Sequence, residues 1–528
     1  MKLSLEGIKN REEWLEKGIK LPEFDVEAVR KETAANPEWI HFGAGNIFRG
    51  FIGSISQALL NAGEMKTGIV AVESFDFDII DKIYNPFDSL TLNVLMGADS
   101  TLETEVLAGI TEGIKATDYD RLYSIAENPS LKLMSFTITE KGYAVTDVNG
   151  NLMGIVAADI EEGPVAPKHT MSIVAAMLYK RYKANGTPVA VVSMDNCSHN
   201  GEKLKAGVVT VAKAWAEAGK VEAGFLNYLE NTVSFPWSMI DKITPRPDAE
   251  IQTKLEEMGV AEMAPVVTSK GTYIAPFVNA EKPQYLVIEN DFPNGRPALE
   301  KAGVYLTTRE TVNKAETMKV TTCLNPLHTG LAVFGCLLGY TTIWEEMRDS
   351  ELSNLVNKIA AEGMKVVIDP EIIDPQEFVD EVINDRLPNP YMPDAPQRIA
   401  TDTSQKIPVR YGETIKSYIK SRELDPSVLE AIPTVIAGWF RYIMAIDDNG
   451  EAFTPSADPM LEAMQDKLAG VELGKPETAE GVLKDILTNE VLFGTDLYAA
   501  GLGGKIEKKF ASMLSGNGAV RETLKALK

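Results

Sequence analysis

The segment that most constrains this fold lies between residues 39 and 73. Trp39-Ile-His-Phe42 is a short apolar strand that runs straight into Gly43-Ala44-Gly45-Asn46-Ile47-Phe48-Arg49-Gly50. Phe51 to Leu60 then repeat apolar positions at helical spacing and stop at Gly63. A second strand, Gly68-Ile-Val-Ala-Val72, follows at once and ends on Glu73. Strand, glycine turn, helix and strand in that order form the opening βαβ unit of a dinucleotide-binding domain. Gly43 and Gly45 permit a tight turn and let the backbone approach a pyrophosphate, whose charge meets the N–H groups of the helix start. Ala44, Asn46, Ile47, Phe48 and Arg49 complete the cofactor loop, where Arg49 either pins the turn or meets a phosphate. Glu73, or Asp76 just beyond it, can bind the adenosine ribose hydroxyls and repel a 2′-phosphate. That favours NAD(H) over NADP(H). The third glycine position is occupied by Phe48, and the spacing to Glu73 is longer than usual.

A chain of 528 residues, 45% hydrophobic and 24% charged, reads as globular and too long for one core. Its 52 Lys and Arg against 76 Asp and Glu leave a net charge of -24. Such a surface argues against nucleic acid or an anionic membrane as partner, yet leaves room for a small anionic substrate held by a local basic cluster. Three cysteines (Cys197, Cys323, Cys336) without a pairing pattern suit a reducing cytoplasm. The four histidines (His41, His169, His199, His328) form no ligand spacing, so no metal is expected. The first residues lack an apolar leader core, and no later run reads as long enough to span a bilayer. A cytoplasmic protein, monomeric or a small homo-oligomer, is expected.

Further strands are expected at 131–139 and 189–193, each ending in a polar loop: Glu140-Lys141-Gly142-Tyr143 and Asp195-Asn196-Cys-Ser-His199-Asn200-Gly201. Loops at the carboxyl ends of strands are where ligands collect in open α/β sheets. Beyond about residue 295 helical periodicity dominates. The fold class is therefore α/β, with a Rossmann-like NAD-binding domain over 1–295, including its N-terminal leader, and a mostly α-helical domain over 296–528. Early in that second part, Lys319-Val-Thr-Thr-Cys-Leu-Asn-Pro-Leu-His328 places an amine, an amide and an imidazole within ten residues. Asn325 and His328 are three apart and share a helix face. A buried Lys favours its neutral amine, which can take a proton near neutral pH. This stretch is expected to face the cofactor across an interdomain cleft. The plainer reading of it is a helix start whose Asn caps and whose His bonds locally.

Several motifs in order resemble the polyol-specific long-chain dehydrogenases, the mannitol dehydrogenase family. Gly43 to Gly53 is close to the nucleotide loop of its mannitol-1-phosphate branch. Thr139-Glu-Lys-Gly-Tyr143, Asp195-Asn196 with His199-Asn-Gly201, Phe235-Pro-Trp-Ser-Met-Ile-Asp-Lys-Ile-Thr-Pro245 and Val287-Ile-Glu-Asn-Asp-Phe292 are similar to its mannitol and hexuronate branch. So are Gly295-Arg-Pro297 and Arg398-Ile399 with Asp402, Ser404, Lys406 and Pro408. The resemblance implies metal-independent hydride transfer between a carbinol carbon and a nicotinamide. It implies Lys319 as acid/base, Asn196 and Asn325 as amide donors to the reacting oxygen, and His328 as substrate placer. Asp241, Arg398 and Lys406 become substrate contacts.

One departure matters. The family pattern places the Lys five residues before the Asn, whereas here the separation is six and Val320 holds the expected place. Either Thr321 and Thr322 loosen the first helical turn, or Lys141 or Lys242 serves instead. The expected substrate is a small sugar acid or polyol, foremost the D-fructuronate/D-mannonate pair, with mannitol/fructose or tagaturonate next. A nucleotide-binding sensor that has lost catalysis is the reading from another class.

Overall fold

The computed structural model describes residues 1–527, which separate into two compact units: Met1–Met96 with Thr101–Asn313, and Gly97–Ser100 with the described residues from Lys314 onward.

Unit 1 is built on six strands, β1 (Trp39–Phe42), β2 (Ile69–Glu73), β3 (Ile110–Lys115), β4 (Leu133–Phe136), β5 (Val189–Ser193) and β6 (Val233–Ser234). They pair in the order β3-β2-β1-β4-β5-β6, every pair parallel. This is the dinucleotide-fold order, with its reversal point between β1 and β4. Alternation of side chains across the pleat fills two cores. Ile40, Phe42, Val70, Val72, Met134 and Val191 point to one face. Trp39, Ile69, Ala71, Leu133, Ala190 and Val192 point to the other. Helix α1 (Gly53–Asn61) lays Ile55, Leu59 and Leu60 into the second core, while α2 (Thr170–Ala184) and α3 (Asn200–Glu217) cover the first. Because both faces are covered, the strands read as continuous apolar runs.

Unit 1 extends past the boundary expected near residue 295. Tyr305–Thr307 pairs in parallel with Tyr285–Glu289, which itself pairs antiparallel with Ser238–Asp241. This strand is too short for its period to show in the sequence, and the division falls inside helix α4 (Arg309–Met318).

Unit 2 is helical. α4 leads into a π-helical turn, Lys319–Cys323, and then α5 (Asn325–Leu338). From Pro326 to Leu337 all but His328 are buried, because α5 packs against α6 (Ile343–Met347), α7 (Ser350–Met364) and α8 (Ala431–Ile443). One helical stretch is longer than the sequence expectation of no bilayer-length run allows. The helical stretch Arg309–Leu338 is 30 residues long with mean hydropathy 1.2 in its most apolar window, and 72% of that window is buried inside the protein. Its apolarity is that of a helix surrounded by other helices.

Candidate active site

The glycine loop of unit 1 is held from three directions. Gly43 has φ of +104°, and a Cβ there would meet the Thr137 carbonyl oxygen at 2.1 Å, so only glycine fits. Gly45 faces open space, and the helix starts at Asn46, so its first N–H groups have no intrahelical acceptor. That opening, beside a helix N-terminus, suits a pyrophosphate, and Gly43 to Phe48 are the residues that would cradle it.

Glu73 has partners other than those expected, and Arg49 is tied into the protein. Glu73 is buried, and its carboxylate accepts from three backbone N–H groups: Ala44 at 3.0 Å, Phe75 at 2.8 Å and Asp76 at 3.0 Å. It therefore braces the loop from the end of β2 instead of presenting itself to a ribose. Arg49, only 1% exposed, donates to the Ala275 carbonyl at 2.8 Å, with Thr91 and Asn46 at 3.3 and 3.5 Å. These acceptors tie the guanidinium to the loop and to Thr91 and Ala275. Burial drives it, since a sequestered guanidinium must find acceptors. His41 bonds Ser135 and Thr137 and stacks on Phe48 with ring centroids 4.0 Å apart, and burial pushes its pKa well down. It is a neutral brace.

The loops after β4 and β5 are tied together. Asp195 accepts from the Ile138 and Thr139 N–H groups at 2.8 and 2.9 Å and from the Tyr143 hydroxyl. Burial raises the pKa of Asp195, and burial with the Asp195 charge raises that of Tyr143. Thr139 and His199 have φ of +65° and +53°, a conformation that costs a non-glycine residue about 1 kcal/mol or more. Asn196 follows Asp195 on the exposed outer part of this loop, and Asp241 is buried at the end of its strand. His199 stacks on Trp237 at 4.3 Å, and Arg309 lies over the same ring at 5.2 Å while pairing with Glu289 at 2.9 Å. His199 thus packs outward onto the Phe-Pro-Trp motif, which supplies a stacking surface, with its Nε2 3.3 Å from Asn313 Oδ1.

In unit 2 the Lys319 stretch is not a regular α-helix. The Leu324 N–H donates to the Lys319 carbonyl at 3.1 Å, an i→i+5 bond, so the turn holds one residue more than an α-turn. The π-turn lies within the stretch from Lys319 to Asn325, which is one residue longer than the family pattern. A local cause is visible: the Thr321 hydroxyl donates back to the Thr317 carbonyl at 2.8 Å and competes with the helical bond. Lys319 is 2% exposed. Of its rivals, Lys242 donates to the Glu281 and Lys282 carbonyls and to Gln284, and Lys141 is exposed.

Asn325 opens α5 and uses its carbonyl to accept from Thr329 at 3.0 Å and from Arg410 at 3.4 Å. His328 is 15% exposed, and its Nε2 has no hydrogen bond among the described residues. Asp394 lies 3.5 Å from that nitrogen. Burial pushes the His328 pKa down to about 4; Asp394 opposes this, and Arg410, Arg398 and Arg386 reinforce it. The imidazole is neutral at pH 7 and can place a hydroxyl. Arg398 pairs with Asp394 and is 65% exposed. The Lys406 amine donates to the Ile399 carbonyl at 2.8 Å and to that of Thr401, and burial, with Arg410 next, lowers its pKa to about 8. Burial pushes the Cys323 and Cys336 thiols up to about 12, which leaves them unreactive. Sequence reasoning missed Asp394 and Arg410. The signal was a run of basic residues, Arg398, Lys406 and Arg410, in an otherwise acidic chain.

Among the described residues no group of three or more His, Cys, Asp or Glu side chains could hold a metal. A parallel sheet of dinucleotide-fold order with a glycine loop, and a helical unit carrying Lys, Asn and His, define a class of nicotinamide-dependent oxidoreductase. Residues 37–301 match the mannitol dehydrogenase Rossmann domain and 311–514 the mannitol dehydrogenase C-terminal domain. The chain belongs to the mannitol dehydrogenase family. It is 52% identical to a D-mannonate oxidoreductase of Thermotoga maritima over 99% of this chain and 98% of that one. It is also similar to the structure of mannitol 2-dehydrogenase from Pseudomonas fluorescens in a ternary complex with NAD and D-mannitol. There the TM-score is 0.71 at 25% identity, covering 100% of this chain and 99% of the other. A D-sorbitol dehydrogenase in substrate-free form shares the fold, with TM-score 0.79 at 24% identity and coverage of 97% and 98%.

Proposed function

We propose that this enzyme interconverts D-fructuronate and D-mannonate with NAD(H), using Lys319 as the proton-carrying group. The observation that carries the reading is the near full-length 52% identity to a D-mannonate oxidoreductase. The π-turn at Lys319 supports it by absorbing the residue that departs from the family spacing. When bound, the nicotinamide supplies or accepts the hydride at the carbinol carbon. In the reducing direction Lys319 gives a proton to the oxygen that gains negative charge, and in oxidation it takes that proton back. The amides of Asn196 and Asn325 donate hydrogen bonds to that oxygen as its charge develops. Neutral His328 accepts from or donates to a neighbouring hydroxyl and fixes which carbon reacts. Asp241, Arg398 and Lys406 hold the rest of the substrate chain. The preference for NAD(H) over NADP(H) rests on the likeness to the mannitol 2-dehydrogenase structure that holds NAD.

The deciding experiment follows the loss of NADH absorbance with keto-uronates, ketoses and their phosphates, repeated with NADPH. Turnover is expected with D-fructuronate and NADH. Turnover with fructose alone would make this a mannitol 2-dehydrogenase, and NADH binding without turnover on any substrate would make it a sensor.

A further inference from the structure

Unit 2 holds a basic cluster that the hydride-transfer chemistry does not use. Arg398, Lys406 and Arg410 lie near His328 in a chain whose net charge is -24. Their charges are handled differently. Arg398 is paired with the Asp394 carboxylate. The Lys406 amine is turned onto two backbone carbonyls. Arg410 is half-buried, and its two acceptors, the Asn325 carbonyl and the Thr329 hydroxyl, are both neutral. Both are bound through Nη1, and no carboxylate pairs with Arg410 among the described residues. The Nε–Nη2 edge of the guanidinium has no hydrogen bond there either.

A partly sequestered guanidinium without an anion is costly to maintain. Its planar fork matches a carboxylate through two parallel N–H···O bonds. Arg410 is anchored to the first turn of α5, the turn that carries Asn325 and His328. We propose that Arg410 binds the carboxylate of a sugar-acid substrate and is the residue that selects sugar acids over neutral polyols of the same length. In fructuronate the carboxylate lies at the opposite end of the carbon chain from the hydroxymethyl group beside the ketone. A neutral ketose presents a second hydroxymethyl there, with nothing to neutralise the guanidinium.

This rests on the oxidoreductase reading above, and the test separates the two. Wild type and Arg410→Gln are compared on D-fructuronate and on fructose, with NADH and with the folded state checked by thermal unfolding. Loss of a charge-assisted bidentate contact predicts a fall of about 10- to 100-fold in kcat/KM for the keto-acid. Activity on fructose should fall by much less than activity on the keto-acid, so discrimination narrows. Arg410→Lys, which keeps the charge and loses the fork, should give an intermediate and equally selective loss. Equal losses on both substrates would mean that Arg410 only braces the Asn325 turn, and unchanged activity on both would mean that the carboxylate is held elsewhere. Either result overturns the proposal while leaving the fructuronate reading intact. Should Arg410→Gln fail to fold, wild type is assayed with the methyl ester of fructuronate, and Arg410→Lys carries the comparison. An ester as good as the acid overturns the assignment. A wild-type enzyme that reduces fructose but no keto-uronate overturns the parent reading, and this one with it.

Discussion

At the scale of single residues, proton transfer and loop bracing make separate predictions. Lys319→Met removes the buried amine, and kcat should fall by about 10²- to 10⁴-fold. The dissociation constant for NADH, read by fluorescence, should stay close to wild type, because the glycine loop is in unit 1. Glu73→Ala leaves three backbone N–H groups without their acceptor. It should cost roughly 2–4 kcal/mol of stability and raise KM for NADH far more than it changes kcat. Burial, with the Arg410 charge next, lowers the Lys406 pKa to about 8. If its charge assists an anionic substrate, KM for the keto-acid should rise as pH climbs through 8, and Lys406→Arg should abolish that rise. Residue types in order made most of these candidates legible. The partners were not legible, since nothing in the local sequence says that Glu73 bonds Ala44 across 29 positions.

At the scale of elements, the π-turn is the feature to test. Deleting Thr321 removes the extra residue and the hydroxyl that competes with the helical bond. The turn should close as an α-helix, and the variant should keep at least a tenth of wild-type kcat, measured by NADH oxidation. If the π-turn does not absorb the added residue, the deletion instead swings Lys319 by about 100°, and activity disappears. Behind this turn, Gly335 of α5 packs on Glu346 of α6, and a Cβ there would sit 1.9 Å from Glu346 Oε1. Glu346 is fully buried, neither carboxyl oxygen has a hydrogen bond among the described residues, and burial raises its pKa well above the usual range. The acid is held neutral. Its contribution is fully present below the unfolded pKa of about 4.5 and is lost as pH rises above it. Glu346→Gln should therefore raise Tm at pH 8, by about 2–4 °C for each kcal/mol recovered, and change little at pH 4. A rise of equal size at both pH values would show that the carboxyl is not titrating.

At the scale of the whole molecule, net charge opposes the local basic cluster. With a charge of -24, long-range repulsion of an anionic substrate reaches about 30 Å at 0.01 M salt and about 10 Å at 0.1 M. The kcat/KM for the keto-acid should rise across that range, while that for neutral fructose stays flat. A fall for the keto-acid from the lowest salt onward would show the basic cluster dominating at long range.

What the sequence determined by itself was periodic or compositional: the apolar strands, the glycine loop at its β–α junction, the helical second half, and the order of motifs that identifies the family. These are local patterns, and each is carried by neighbouring residues. The tertiary structure alone decided where carboxylates and guanidinia find partners. It turned Glu73 and Arg49 inward, set Asp394 beside His328, left Arg410 without a carboxylate partner among the described residues, and added a short strand that moved the domain boundary. It also formed a π-turn between Lys319 and Asn325, where the spacing is one residue longer than the family pattern. Such outcomes depend on which groups burial forces to share hydrogen bonds, and those groups are brought together only by the folded chain.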